Sequence, residues 1–275
     1  MYRLLALDID GTLVNSKQLL TDTTIKAVRR AISRGVLVTI CTGRSLSSAM
    51  PVIERLSLNA PFVLNNGALI FDNFINRARY IRHLPSYLAQ KTINLLRDLK
   101  FHPIIYGPLP EVRNFYYDSF DPNNQSFINY TKKNRNRVHF VDDICDFLSQ
   151  GLACISCDDQ IEKIKDQESY IRKQLSRTEL ILEISPWDPA FCHLTVMPAR
   201  VSKGTGLEKL ALLLGIHSSE VMAIGDNLND LDMIKFAGLG VAMANSPPET
   251  KRQANYITTS VDEDGVAQAI ERYIL

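Results

Sequence analysis

At 275 residues the chain is long enough for one large or two ordinary domains. With 45% hydrophobic and 22% charged residues, its composition is that of a globular protein, not a disordered or fibrous one. A formal net charge of +1 gives no electrostatic reason for a nucleic-acid or membrane-surface partner, and no apolar stretch is long enough to span a bilayer.

In chain order, Arg3–Asp8 reads as an apolar strand and Thr23–Ser33 as a helix capped by Thr21 or Asp22. Val36–Cys41 is a β-branched buried strand, Leu46–Leu56 a second helix and Phe62–Leu64 a further strand. Asn65-Asn66-Gly67 reads as a turn, after which Ala68–Phe71 is expected to pair with Tyr80–Leu84 as a hairpin around Asn73–Arg77. The middle of the chain differs. Helical spacing marks Tyr87–Leu99 and Gln160–Leu175, with strands at Pro103–Tyr106, Val138–Val141, Leu152–Ser156, Leu180–Ile184 and His193–Met197. Phe115–Arg137, rich in Asn, Asp, Tyr and Lys, shows little periodicity and reads as an irregular excursion. The alternation then resumes: helix Lys203–Leu214, strand Val221–Ile224, helix Leu228–Phe236, strand Leu239–Met243, helix Pro248–Ala254, strand Tyr256–Thr258 and helix Glu263–Tyr273. Alternating strands and helices imply right-handed βαβ units and a parallel sheet with helices on both faces. The expected organisation is a core made of residues 1–82 and 198–275, with an α/β insertion at 83–197.

Five cysteines, at positions 41, 145, 154, 157 and 192, are few and odd in number, and read as free thiols in a reducing compartment. Cys154-Ile155-Ser156-Cys157 has metal or redox spacing, but no second Cys or His pair accompanies it, so structural thiols are expected. A first core strand from Tyr2 leaves no room for a signal peptide, and the expected location is cytoplasmic.

The chemistry-bearing residues fall at strand ends. Asp8-Ile9-Asp10-Gly11-Thr12 follows Leu4–Leu7, Thr42-Gly43-Arg44 follows Ile40-Cys41, Lys203-Gly204 opens the helix after the insertion, and Gly225-Asp226-Asn227-Leu228-Asn229-Asp230 follows Met222–Ile224. In an open parallel sheet, ligands bind beyond the carboxyl ends of the strands. Asp8, Asp10, Thr42, Asp226 and Asp230 are therefore expected on one rim, with Lys203 reaching in. Four carboxylates there call for a hard cation, for which Mg²⁺ is suited, and a lysine beside a hydroxyl suits a phosphoryl group.

The order Asp-x-Asp-Gly-Thr, Thr-Gly-Arg, Lys-Gly, Gly-Asp-x-x-Asn-Asp resembles the haloacid dehalogenase superfamily of phosphohydrolases. Asn65-Asn66-Gly67-Ala68, Gly240-Val241-Ala242-Met243 and Asp264-Gly265-Val266-Ala267 resemble its Cof-type branch, which carries a type IIB α/β cap between the second and third motifs. The resemblance implies a doubly wound parallel sheet with an inserted cap, and a Mg²⁺-dependent phosphatase for small phosphorylated metabolites. It implies Asp8 as the nucleophile that forms an aspartyl-phosphate, and Asp10 as the acid and then the base, protonated while Asp8 stays ionised. Thr42, with Gly43, and Lys203 would bind the phosphoryl group, and Asn229 would support it. Asp8, the backbone carbonyl of Asp10, and Asp226 would hold Mg²⁺, with Asp230 acting through water. A mobile cap would exclude water and set specificity; Phe115-Tyr116-Tyr117 and Trp187 read as core of that cap, ahead of a lining for its pocket.

Arg44 reads as a first-turn residue bracing the rim, and the basic cluster from Lys132 to Arg137 as a solvated face. Two other functions use the same fold: a phosphomutase would return the phosphoryl group to sugar, and a non-catalytic sensor would lack a catalytic position. Asp8, Asp10, Lys203 and Asp226 are all present. The oligomeric state is unreadable from the sequence, and a monomer is compatible with it.

Overall fold

The structure is a computed structural model that describes residues 2–15, 17, 19–110, 114–185 and 188–275. Trp187 lies outside the described residues. The chain divides into two compact units, one made of Met1–Tyr80 with Ser202–Leu275 and the other of Ile81–Val201.

The first unit begins with β1 (Leu4–Leu7), α1 (Asp22–Ser33), β2 (Leu37–Ile40), α2 (Leu46–Leu56) and β3 (Phe62–Leu64). Of the two candidate caps of α1 it is Thr21 that serves: its hydroxyl accepts from the Thr24 N–H at 3.2 Å. β4 (Leu69–Asp72) joins β3 and β5 (Arg77–Ile81) in a three-stranded sheet. That hairpin differs from the expected one, since its second strand starts at Arg77 and not Tyr80. Asp72 tightens the turn by accepting the Phe74 N–H at 3.0 Å and the Arg79 guanidinium at 2.9 and 3.0 Å. Leu84, expected in that strand, is instead buried in the second unit, its N–H on the Leu152 carbonyl.

The second unit comprises α3 (Ser86–Asp98), β6 (Ile104–Gly107), β7 (Asn114–Tyr117), α4 (Gln125–Lys133), β8 (Val138–Phe140), β9 (Cys154–Gln160), α5 (Ile161–Gln174), β10 (Thr178–Ile184) and β11 (Phe191–Pro198). Its six strands run in the order β10-β11-β9-β6-β7-β8. One face carries Ile105, Ile155, Cys157, Leu194 and Val196 against Ile93 and Leu96 of α3 and Ile164 and Ile171 of α5. The expectation of an irregular excursion over Phe115–Arg137 was wrong, because this stretch contains β7 and α4. Asn124 caps α4 by accepting the Phe127 N–H at 2.9 Å, and the Phe127 ring meets that of Tyr117 edge-on at 5.2 Å. Lys132 and Lys133 occupy the last turn of α4, where cations are favoured, and Arg137 stacks over Phe115 at 4.7 Å. Cys154 and Cys157 lie three apart on β9, so their side chains face opposite sides of the sheet and make no ligand pair. All five cysteines are free.

The first unit resumes with α6 (Lys203–Leu213), β12 (Val221–Gly225), α7 (Leu231–Phe236), β13 (Leu239–Ala242), α8 (Pro248–Gln253), β14 (Tyr256–Ile257) and α9 (Gly265–Tyr273). Its main sheet has the order β14-β13-β12-β1-β2 with every pairing parallel; Leu4 faces Val221 and Leu37, and Leu7 faces Ile224 and Ile40. This is the doubly wound sheet expected from the alternation. Leu4–Leu7 are fully buried, which stabilises the sheet by ~1.5–3 kcal/mol for each leucine. Leu4 and Ala6 pack with Leu207, Leu210 and Met233 of α6 and α7, so Leu5 and Leu7 look to the opposite face. Because β1 lies between β12 and β2 and is parallel to both, the carboxyl ends of β1, β2 and β12 open side by side. No helix among the described residues is long and apolar enough to cross a membrane.

Candidate active site

Asp8 is the first residue past β1, and its N–H continues the ladder to the Ile224 carbonyl at 3.0 Å. The chain then folds into a tight loop in which the Leu13 and Val14 N–H groups both reach the Ile9 carbonyl. Gly11 sits there at φ +80°, and a Cβ on it would lie 2.3 Å from Asp226 Oδ2. Only glycine allows this backbone to approach the loop after β12 so closely. Thr12 Oγ1 donates to Asp226 Oδ1 at 3.2 Å, and Asn245 Nδ2 donates to Asp226 Oδ2 at 3.3 Å and to the Gly11 carbonyl at 2.9 Å. Asp226 is thus oriented from both sides.

Lys203 opens α6 behind the N-cap Ser202 and is 2% exposed. A cation in a first helical turn opposes the helix dipole, and burial adds a desolvation cost. Two carboxylates offset both: Lys203 Nζ donates to Asp8 Oδ1 at 2.7 Å and to Asp230 Oδ1 at 2.6 Å. The other oxygen of Asp230 accepts the Asp226 and Asn227 N–H groups, each at 2.9 Å, which closes the loop into its capping turn. Both oxygens of Asp230 are therefore bound by protein groups.

Carboxylate oxygens of Asp8, Asp226 and Asp230 lie within 4.8 Å of one another. Burial is the largest influence on Asp8 and pushes its carboxyl up to about 8; the Lys203 ammonium opposes that rise, while Asp230 and Asp10 add to it. Three acids, two buried and Asp226 half-buried, outnumber the one ammonium, and all the donors are hard oxygens. Such a set fits a divalent cation of the Mg²⁺ kind.

Asp10 stands outside that group. Arg44 holds it in a two-pronged pair, Nε to Oδ2 at 2.7 Å and Nη2 to Oδ1 at 2.5 Å. A two-pronged pair of this kind fixes the orientation of the Asp10 carboxyl group. Arg44, read from sequence as a brace for the rim, reaches across to the loop after β1.

Thr42 follows β2 and is buried, its N–H on the Val63 carbonyl and its Oγ1 accepting the Arg44 N–H at 3.1 Å. Gly43 lies against the side chain of Asn66, and Asn229 Nδ2 donates to Asn66 Oδ1 at 3.4 Å. The structure thus brings Asp8, Lys203, Asp226 and Asp230 into one cluster, and sets Thr42 and Gly43 against Asn66, to which Asn229 also bonds. Sequence reasoning missed Asn245 and the reach of Thr12. Asn245 follows β13, so the strand-end rule that located Asp226 also points to it. Sequence reasoning also missed Asp232, which accepts from the Ser202 hydroxyl and the Gly204 N–H at the mouth of α6, and whose carboxyl burial pushes up. No sequence signal marked it.

A family model described as haloacid dehalogenase-like hydrolase matches residues 5–270. The 5-amino-6-(5-phospho-D-ribitylamino)uracil phosphatase YcsE of Bacillus subtilis (strain 168) is 33% identical over 273 residues, covering 99% of this chain and 96% of its own. Among solved structures, a haloacid dehalogenase-like hydrolase from Bacteroides thetaiotaomicron matches with a TM-score of 0.79 at 27% identity over 99% of both chains. The HAD subclass IIB sugar phosphatase BT4131 shares the fold, with a TM-score of 0.81 at 24% identity over 98% of both chains. With its parallel sheet and acidic cluster, the chain belongs to the haloacid dehalogenase-like hydrolases and is one of their phosphatases.

Proposed function

We propose that this phosphatase hydrolyses small phosphate monoesters through an aspartyl-phosphate on Asp8, with Mg²⁺ as its cofactor. The observation that carries the reading is the buried Lys203 ammonium bridging Asp8 and Asp230 beside Asp226. Mg²⁺, held by Asp8, Asp226 and the main-chain carbonyl of Asp10 with Asp230 in its outer sphere, would supply charge neutralisation for a transferring phosphoryl group.

In the first half-reaction an Asp8 oxygen attacks phosphorus in line with the ester oxygen. The new O–P bond forms as the bond to the leaving alkoxide breaks, and Asp10 gives that alkoxide its proton. In the second, water attacks phosphorus and loses a proton to Asp10, the Asp8–phosphorus bond breaks, and inorganic phosphate leaves. Arg44 holds the Asp10 carboxyl in place for both proton transfers. Thr42 and the Gly43 backbone bind phosphoryl oxygens, Asn229 supports them, and Lys203 balances charge on the phosphoryl group and on Asp8.

Residues 83–197 act in this reading as the cap that selects the substrate, supported by the separate compactness of Ile81–Val201. The named activity of the 33% identical relative makes a phosphorylated ribityl-aminouracil the first ester to assay, ahead of sugar phosphates, nucleotides and cofactor phosphates. Free thiols suit a reducing cytoplasm. A panel of phosphorylated metabolites, incubated with and without Mg²⁺ while released inorganic phosphate is measured, tests the reading. Release that depends on Mg²⁺ is expected. Transfer of phosphate between sugars without net release would indicate a mutase, and no turnover of any ester would favour a sensor.

A further inference from the structure

We propose that Asn66 is a positioning residue, the point at which the three loops that would surround the phosphoryl group are locked into one register. This role deepens the phosphatase reading and rests on it.

Asn65 and Asn66 both adopt left-handed conformations, at φ +49° and +50°, and both are buried. Asparagine tolerates this region better than other residues with a Cβ, yet two in succession are strained and persist only where surrounding contacts demand it. Those contacts are on three sides. Toward β2, the Asn66 N–H donates to the Thr42 carbonyl and the Asn65 N–H to the Arg44 carbonyl, each at 3.0 Å, so two successive amides hold both ends of Thr42-Gly43-Arg44. The Asn66 amide also covers Gly43, where an added Cβ would come within 3.2 Å of Asn66 Nδ2. Toward β12, Asn66 Oδ1 accepts from Asn229 at 3.4 Å. Toward α6, Gly67 packs so tightly that a Cβ would lie 2.1 Å from the Ser202 carbonyl, one residue before Lys203.

One tripeptide therefore touches Thr42 and Gly43, Asn229, and the turn that carries Lys203. Its side chain need not meet substrate to matter. Releasing it would free Gly43 and Asn229 to move independently, which weakens phosphate binding without altering the nucleophile.

The test is a kinetic cycle of Asn66→Gly, Asn229→Ala and the double variant, with p-nitrophenyl phosphate as substrate and inorganic phosphate as inhibitor. Glycine keeps the left-handed backbone and removes only the side chain, while Asn66→Ala adds backbone strain and serves to separate stability from binding. Asn66→Gly is expected to raise KM and the inhibition constant of phosphate about tenfold with kcat within about threefold. The double variant should also lose about tenfold, not about a hundredfold, because the two residues act as a unit. Amide hydrogen exchange on the substrate-free protein should speed up at residues 42–45 in Asn66→Gly and stay unchanged in β1 and β12. Unchanged phosphate inhibition, additive losses, or unchanged exchange at residues 42–45 would overturn the proposal. A wild type that neither binds phosphate nor releases it from any ester removes the phosphatase reading, and this role with it; that outcome is read before any variant is made.

Discussion

Arg44 pairs with Asp10 through two parallel hydrogen bonds of 2.7 and 2.5 Å, linking the loop after β2 to the loop after β1. The pair orients the carboxylate that must exchange protons with the ester oxygen and with water. Arg44→Met should lower kcat about a hundredfold, the lower range of a general acid–base contribution, with KM within about threefold. Arg44→Lys keeps the charge but not the fork and should fall between. Steady-state kinetics on one ester decides this, and unchanged kcat in Arg44→Met would remove Arg44 from the mechanism.

The strand-end positions were legible because chemistry and topology coincide there. An Asp-x-Asp directly after Leu4–Leu7, and an acidic loop directly after Met222–Ile224, must share a rim once β1 and β12 are parallel neighbours. Side-chain reach was less legible. Nothing local in Thr42-Gly43-Arg44 says that the guanidinium crosses to Asp10, nor that Asp230 spends both oxygens on Lys203 and backbone amides. β7 and α4 were missed for another reason. Asn and Asp between Tyr117 and Gln125 mask the period, and α4 is held by its Asn124 side-chain cap and by the edge-on contact of Phe127 with Tyr117 of β7, neither of which leaves a periodic apolar pattern.

Lys203 is the counterion of a buried acidic pair, so removing it should cost stability as well as activity. Lys203→Met leaves Asp8 and Asp230 without their cation, a loss of ~3–5 kcal/mol in metal-free protein. Adding Asp230→Asn to that variant should recover part of the loss, since one unpaired charge disappears. Urea unfolding in EDTA measures both, and a double variant less stable than Lys203→Met would contradict the pairing.

Asp8 gives a pH dependence of defined sign. Its folded carboxyl is raised to about 8 from an ordinary 3.8, chiefly by burial, so across that window the folded state binds more protons than the unfolded chain. Stability of the metal-free protein should therefore fall as pH rises through the window and level off above it. Asp8→Asn should lack this part of the slope, and Mg²⁺ should stabilise the wild type most at the alkaline end. Melting temperatures against pH, with EDTA and with Mg²⁺, provide the comparison; parallel curves for wild type and Asp8→Asn would refute it.

Gly11 and Gly35 have nearly equal positive φ, +80° and +83°, but only Gly11 faces Asp226 closely, whereas a Cβ added at Gly35 would meet nothing within 4 Å. Alanine at either position should cost ~1–2 kcal/mol from the backbone alone. Gly11→Ala should in addition raise the half-saturating Mg²⁺ concentration by about tenfold or more, by displacing Asp226, while Gly35→Ala leaves it unchanged. Equal Mg²⁺ dependence in the two variants would break the link between Gly11 and the cation.

The claim beneath all of these is that Asp8 takes the phosphoryl group onto its own carboxylate. Enzyme turning over an ester with Mg²⁺ can be acid-quenched, reduced with borohydride and mapped by peptide mass spectrometry, since an acyl phosphate is reduced to the alcohol while free carboxylates are not. The expected result is homoserine at position 8 in the turning-over sample and aspartate there without substrate. Homoserine at another position, or unmodified Asp8 in a sample with the intermediate accumulated at any other residue, would contradict it.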